Sequence, residues 1–142
     1  MEALAALEQA YRDYRTDLEN YERKRKPTDG LFGMGHSLQN DPCHERFDER
    51  VEQVVNDICA AQPSPEEAKM AVQRLLCWET GAAWPLAAQW MLRATERHAL
   101  PLIPHLSQED AKAFLKEYAA RYRPWDRLPA QKKVYQALKG KA

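Results

Sequence analysis

The most regular apolar pattern in the chain comes at its start, where Leu4, Leu7, Tyr11, Tyr14, Leu18 and Tyr21 recur at alternating steps of three and four. That spacing lines one face of an α-helix through more than two heptads. The three tyrosines could form a ring-lined ligand surface, but on such a stripe they pack as core with their hydroxyls at the rim. Arg23, Lys24, Arg25 and Lys26 suit a helix C-terminus, and Pro27 ends the helix.

The remaining helices are marked by their starts. Asp41 caps a second helix, with Pro42 in the first turn and Glu45 beside the capped amides. Phe47, Val51, Val54, Val55 and Ile58 define its buried face. Ser64, Pro65 and Glu67 form a capping box for a third helix, which presents Ala68, Ala71, Val72, Leu75, Leu76 and Glu79 and ends near Gly81. Trp84 and Pro85 begin a fourth, on which Ala87, Ala88, Met91, Ala94 and Thr95 permit close helix approach. Pro101 and Pro104 then interrupt helicity while Leu100, Leu102 and Ile103 close one end of the core. Ser107, with Asp110 three residues on, caps a fifth helix lined by Ala111, Phe114, Leu115, Tyr118 and Tyr122 and stopped by Pro124. A shorter terminal helix follows Pro129 and packs Val134, Tyr135 and Leu138.

No strand-like alternation persists and no segment repeats. The pattern predicts an all-α, antiparallel helical bundle of five to six helices with one long glycine-containing connection, residues 1–142 forming a single domain. A solenoid is the structural alternative. A chain of 142 residues encloses a substantial core without needing disulfides or a metal to hold it.

The long connection, Pro27 to Cys43, holds three of the five glycines, Gly30, Gly33 and Gly35. Such a connection on a scaffold of short turns is where function concentrates. Its GLFGMG run has neither the preceding strand nor the lysine of a phosphate loop. The glycines instead let the chain turn, so that Leu31, Phe32 and Met34 fold back onto the bundle or, if exposed, form an apolar tip for a protein partner or a membrane surface.

Composition narrows the class modestly. Hydrophobic residues make up 44% and charged residues 30%, with 21 basic against 21 acidic side chains, as in an ordinary soluble globule. The distribution of charge is more informative. Residues 1–71 carry 9 basic and 15 acidic side chains, residues 72–142 carry 12 and 6, so the halves are opposite in sign and can complement each other within a bundle or between copies. Glu2 and Glu8 break any secretory pattern, and Pro85 and Gln89 keep the most apolar window, residues 81–92, short of a membrane span. Cys43, Cys59 and Cys77 show no CxxC spacing and fit reduced thiols in a cytoplasmic protein.

The candidate chemistry gathers at His36, Asp41, Cys43, His44 and Asp48. Cys43 falls in the first turn of the second helix, where free amides and the helix dipole favour a thiolate. His44 and Asp48, four apart, share a face on which the carboxylate can orient the imidazole. No cofactor is called for; the alternative is zinc held by His36 with Cys43 or His44, against which stands the roughly 100° between adjacent helical side chains. His98, His105 and Glu79 make a weaker buried grouping.

Between Ala111 and Ala142 nine cations face two acids. Tyr118 to Trp125 mixes those cations with aromatics able to stack on bases. Tyr118 and Tyr122, however, continue the buried helix face, Trp125 can cover its end, and no helix-turn-helix or zinc-finger spacing is present. The sequence therefore points to a protein-interaction or regulatory module that meets a protein partner or a second copy through Gly30–His44, without membrane insertion. A metal-binding or thiol-dependent enzyme is the first alternative and nucleic-acid binding through the basic C-terminal third the second.

Overall fold

The structure is a computed structural model that describes residues 1–24, 41–79 and 83–142. The expected loop residues Leu31, Phe32, Met34 and His36 lie outside the described residues. Six α-helices and no strand occur among the described residues: α1 (Glu2–Lys24), α2 (Cys43–Ala60), α3 (Pro65–Leu76), α4 (Leu86–Thr95), α5 (Gln108–Arg121) and α6 (Pro129–Lys141). Single turns of 3-10 helix stand at Glu96–Ala99, Ile103–His105 and Pro124–Asp126. None of the described helices is long and apolar enough to cross a membrane.

The caps set these boundaries. Ser64 Oγ accepts from Glu67 N at 3.1 Å while Glu67 Oε1 accepts from Ser64 N at 2.9 Å, the reciprocal box that satisfies two amides at the start of α3. Ser107 Oγ accepts from Asp110 N at 3.1 Å and starts α5. Pro42 already has a helical φ of −60°, so the capping oxygen ahead of α2 is Asp41 Oδ1, which accepts from Cys43 N at 2.9 Å.

At its far end α3 departs from expectation, stopping at Leu76 rather than near Gly81. Cys77 leaves helical geometry (φ −111°, ψ 43°), which lets Trp78 turn into the core, where its carbonyl accepts from Trp84 Nε1 at 2.8 Å. Burying an indole outweighs one more helical turn. Glu79, consequently off the helix, is exposed and paired with Arg121 at 3.3 Å.

Two helix pairs form the body. α1 lies along α2, with the Tyr14 and Phe47 rings stacked at 4.1 Å, and α5 lies along α6; α3, α4 and the 3-10 turns fill the space between. The stripe read from the first helix holds: Leu7, Tyr11, Tyr14 and Leu18 are buried, and Leu4 and Tyr21 are half-buried at its ends. Leu102 and Ile103 are buried as expected beneath the proline-marked turns. The Glu96–Ala99 turn touches α2, α3, α4 and α6 at once, making it the hub of the assembly.

Helix α4 separates an inner from an outer face within ten residues. Leu92 is fully buried, whereas Leu86 is 83% exposed. Leu92→Ala should cost about 2–5 kcal/mol in urea unfolding, since the packed core cannot close the cavity, while Leu86→Ala should stay within about 0.5 kcal/mol of the parent. Equal losses would mean that the outer face of α4 is packed.

Candidate functional site

The group expected to be reactive is built into the start of α2 as structure. Of its members, Asp41, Cys43, His44 and Asp48 are described, while His36 lies outside the described residues. Cys43 is buried, and burial together with the hydrogen bond and charge of Asp41 pushes its thiol up to about 12. The thiolate expected from the helix start is therefore corrected to a protonated thiol, because desolvation and a neighbouring carboxylate outweigh the helix amides. His44 is buried too. Its Nδ1 meets Tyr14 Oη at 2.6 Å, and its ring lies 5.3 Å from that of Trp90.

Asp48 does not serve His44 as expected. Its Oδ2 accepts from Arg97 Nη2 at 2.7 Å and its Oδ1 meets His98 Nε2 at 2.9 Å, which ties α2 to the hub turn. Burial opposes the charge on Asp48, but hydrogen bonds and charge from His98 and Arg97 prevail and hold its carboxyl below the usual range. The same pairing takes His98 away from Glu79, so the grouping of His98, His105 and Glu79 is not assembled. No cluster of three or more His, Cys, Asp or Glu able to hold a metal ion occurs among the described residues.

The densest buried polar network centres on Glu96, a residue that the helical pattern passed over. Its carboxylate is fully buried in the hub turn. Oε2 accepts from Tyr122 Oη at 2.8 Å and from Gln131 Nε2 at 3.3 Å, while Oε1 has no hydrogen-bond partner among the described residues. Gln131, itself buried, also donates to Arg93 O at 3.0 Å and accepts from Leu128 N at 3.2 Å and Arg93 Nη2 at 3.3 Å. One amide thereby joins α4, the hub turn and the start of α6. The Tyr11 and Tyr118 hydroxyls, the Trp78 indole and the Arg121 guanidinium lie within electrostatic reach of this carboxylate. Burial pushes its pKa up to about 7, against the hydrogen bond from Tyr122 and the charge of Arg121.

A signal for Glu96 did exist in the sequence. Ala88, Leu92, Glu96 and Ala99 continue one helical face at steps of four, four and three, and all four are buried. The signal for Gln131 is similar, since Gln131, Val134 and Leu138 share a face of α6.

The surface holds a second departure from expectation. Trp125 does not cover the end of α5; it is 81% exposed in the Pro124–Asp126 turn, and Leu128 beside it is 51% exposed. Arg127 is held away from this corner, with Nε donating to Tyr122 O at 3.0 Å and its guanidinium 3.9 Å from the Tyr135 ring centroid. The turn is anchored where Asp126 O accepts from Arg93 Nη2 at 2.8 Å. On α4, Leu86 and the 45% exposed Trp90 lie one turn apart on the outer face that also carries Arg93. The structure thus sets large apolar side chains on a surface anchored from beneath by the Arg93 and Gln131 network.

Two expectations follow from these geometries. Glu96 binds its proton more tightly folded than unfolded, so its contribution is complete below the unfolded value near 4.5 and is lost as pH rises through about 7. Between pH 5 and pH 8 the parent should lose on the order of 3 kcal/mol in denaturant titrations relative to Glu96→Gln, which carries no titrating proton there; identical pH slopes for the two proteins would refute the assignment. In native protein, iodoacetamide should reach the half-buried Cys59 and Cys77 well before Cys43, the order disappearing in urea. Comparison with family models, with curated proteins and with solved structures finds no match, so the residues above rest on their geometry alone.

Proposed function

We propose that the protein is an interaction module: a rigid helical scaffold that presents an apolar corner, Trp125 with Leu128, to another macromolecule. The supporting observation is the exposure of Trp125, with the half-exposed Leu128 beside it, on a fold that buries Trp78 and Trp84. Exposed aromatic side chains held on a fixed turn are the kind of anchor that dominates protein interfaces. The group at the start of α2 fits this role better than catalysis, because its thiol is protonated and its carboxylates are committed to a cap and to Arg97 and His98. The Gly30–His44 connection is a second proposed contact segment, of which only the part from Asp41 is described.

A photo-crosslinking amino acid placed at position 125, with a control at the exposed Gln136 on α6, tests this role in the cells that make the protein. A discrete conjugate from position 125 and none from 136 is the expected result. Equal, diffuse labelling from both positions would remove the corner as a contact surface.

A further inference from the structure

Resting on that reading, we propose that Glu96 is a clasp on the loop that carries the Trp125 corner: protonated, it holds the loop shut and the corner fixed, and ionised, it lets the loop lift. The two side chains that donate to Glu96 Oε2, Tyr122 at 2.8 Å and Gln131 at 3.3 Å, bracket residues 123–130. One buried oxygen thus closes the base of the exposed corner. Little apolar packing holds the loop down, since six of its eight residues are exposed and the other two, Arg127 and Ala130, are half-buried. Segments of this kind open locally while the rest of a fold stays shut. Beyond the clasp, the loop is tied by Arg93 Nη2 on Asp126 O and by Arg127 Nε on Tyr122 O. On its other sides Glu96 meets the buried Tyr11, Trp78 and Tyr118, so the loop is the side from which water reaches it most easily.

Two effects of ionisation oppose each other at this site. A carboxylate accepts hydrogen bonds more strongly than its acid does, yet burial is the larger influence on Glu96 and pushes its pKa from an ordinary 4.5 up to about 7. The closed loop therefore favours the protonated form, and a lifted loop, which readmits water, restores the ordinary value. The closed loop has its full advantage below about 4.5 and has lost it once pH has risen through about 7. Around Glu96, burial raises the hydroxyls of Tyr11 in α1 and of Tyr118 and Tyr122 on α5, and the Cys77 thiol after α3, above their ordinary values. The guanidiniums of Arg93 on α4 and Arg121 on α5 keep their charge. From α2, Asp48 is paired with Arg97 and His98 of the hub turn, and any titration of that group is common to the parent and Glu96→Gln. A partner that grips the fixed corner is expected to bind more tightly at pH 6 than at pH 8, because loop closure and proton uptake are linked.

Hydrogen exchange read at single amides of the full chain tests the clasp. The reporters are the Asp126 and Leu128 amides, which donate to Arg123 O at 2.8 Å and to Gln131 Oε1 at 3.2 Å. Divided by the intrinsic rate at each pH, their protection should fall about tenfold from pH 6 to pH 8 in the parent. It should stay level in Glu96→Gln, whose amide carries no titrating proton. The fall in the loop should be insensitive to low urea, as local opening is, while the amides of the buried Val54 and Val55 in α2 respond to urea. Loop protection that ignores pH, that changes only in step with urea and α2, or that falls equally in Glu96→Gln would overturn the proposal. If Glu96→Gln does not fold, Tyr122→Phe removes one of the two donors and keeps the ring; it should lower loop protection severalfold at pH 6, and no change there would overturn the proposal as well. Crosslinking from position 125 reads the interaction role separately. A conjugate together with an unresponsive loop keeps the contact surface and removes its control, whereas a responsive loop without a conjugate keeps the clasp and removes the contact.

Discussion

The fold turns on a carboxyl group with nowhere to place its charge. Glu96 sits where α2, α3, α4 and α6 converge, and burial there penalises the charged form enough to raise its pKa to about 7. Tyr122 and Gln131 then make the site specific by supplying donors from the end of α5 and the start of α6. An apolar residue of similar size could fill the same volume. It would not instruct α6 where to sit, since the Gln131 amide has its complete set of partners only when Arg93, Glu96 and Leu128 are all in register. A fully bonded buried amide such as Gln131 selects one packing among many that hydrophobicity alone would accept.

The start of α2 shows how strongly context decides chemistry. A cysteine at a helix N-terminus beside a histidine resembles a nucleophile site, and the dipole there contributes roughly 0.3–1 kcal/mol toward a charged group. Against that, the thiol is buried and faces the Asp41 carboxylate, and it ends up at about 12. The raised value decides the matter: the dipole is the smaller effect. The same residues hold the architecture together, Asp41 as the cap, His44 on the Tyr14 hydroxyl and Asp48 on Arg97 and His98.

Helix existence was legible because it depends on local chemistry. The Ser64 and Ser107 caps, the Pro65 and Pro129 punctuation and the stripe from Leu7 to Leu18 each act within a few residues. The end of α3 was not, since the force that unwinds it is burial of Trp78 beneath Trp84, a contact that only the folded chain creates. For the site the division is similar. Asp41, Cys43, His44 and Asp48 were singled out by spacing, but spacing cannot tell that Asp48 would find Arg97 and His98 about fifty residues away. Position along the chain allows Trp125 to cover the end of α5, whereas the Arg93 bond to the Asp126 carbonyl pins the turn with the indole outward.

The position of Gln131 in the chain, thirty-five residues after Glu96, has a consequence for how the molecule is made. As the polypeptide leaves the ribosome, α4 and the turn that follows it emerge before either Tyr122 or Gln131 exists to shield them. During that interval the acid is hydrated and ionised. Docking of α6 withdraws the acid from water and draws it toward its protonated form, its pKa rising to about 7.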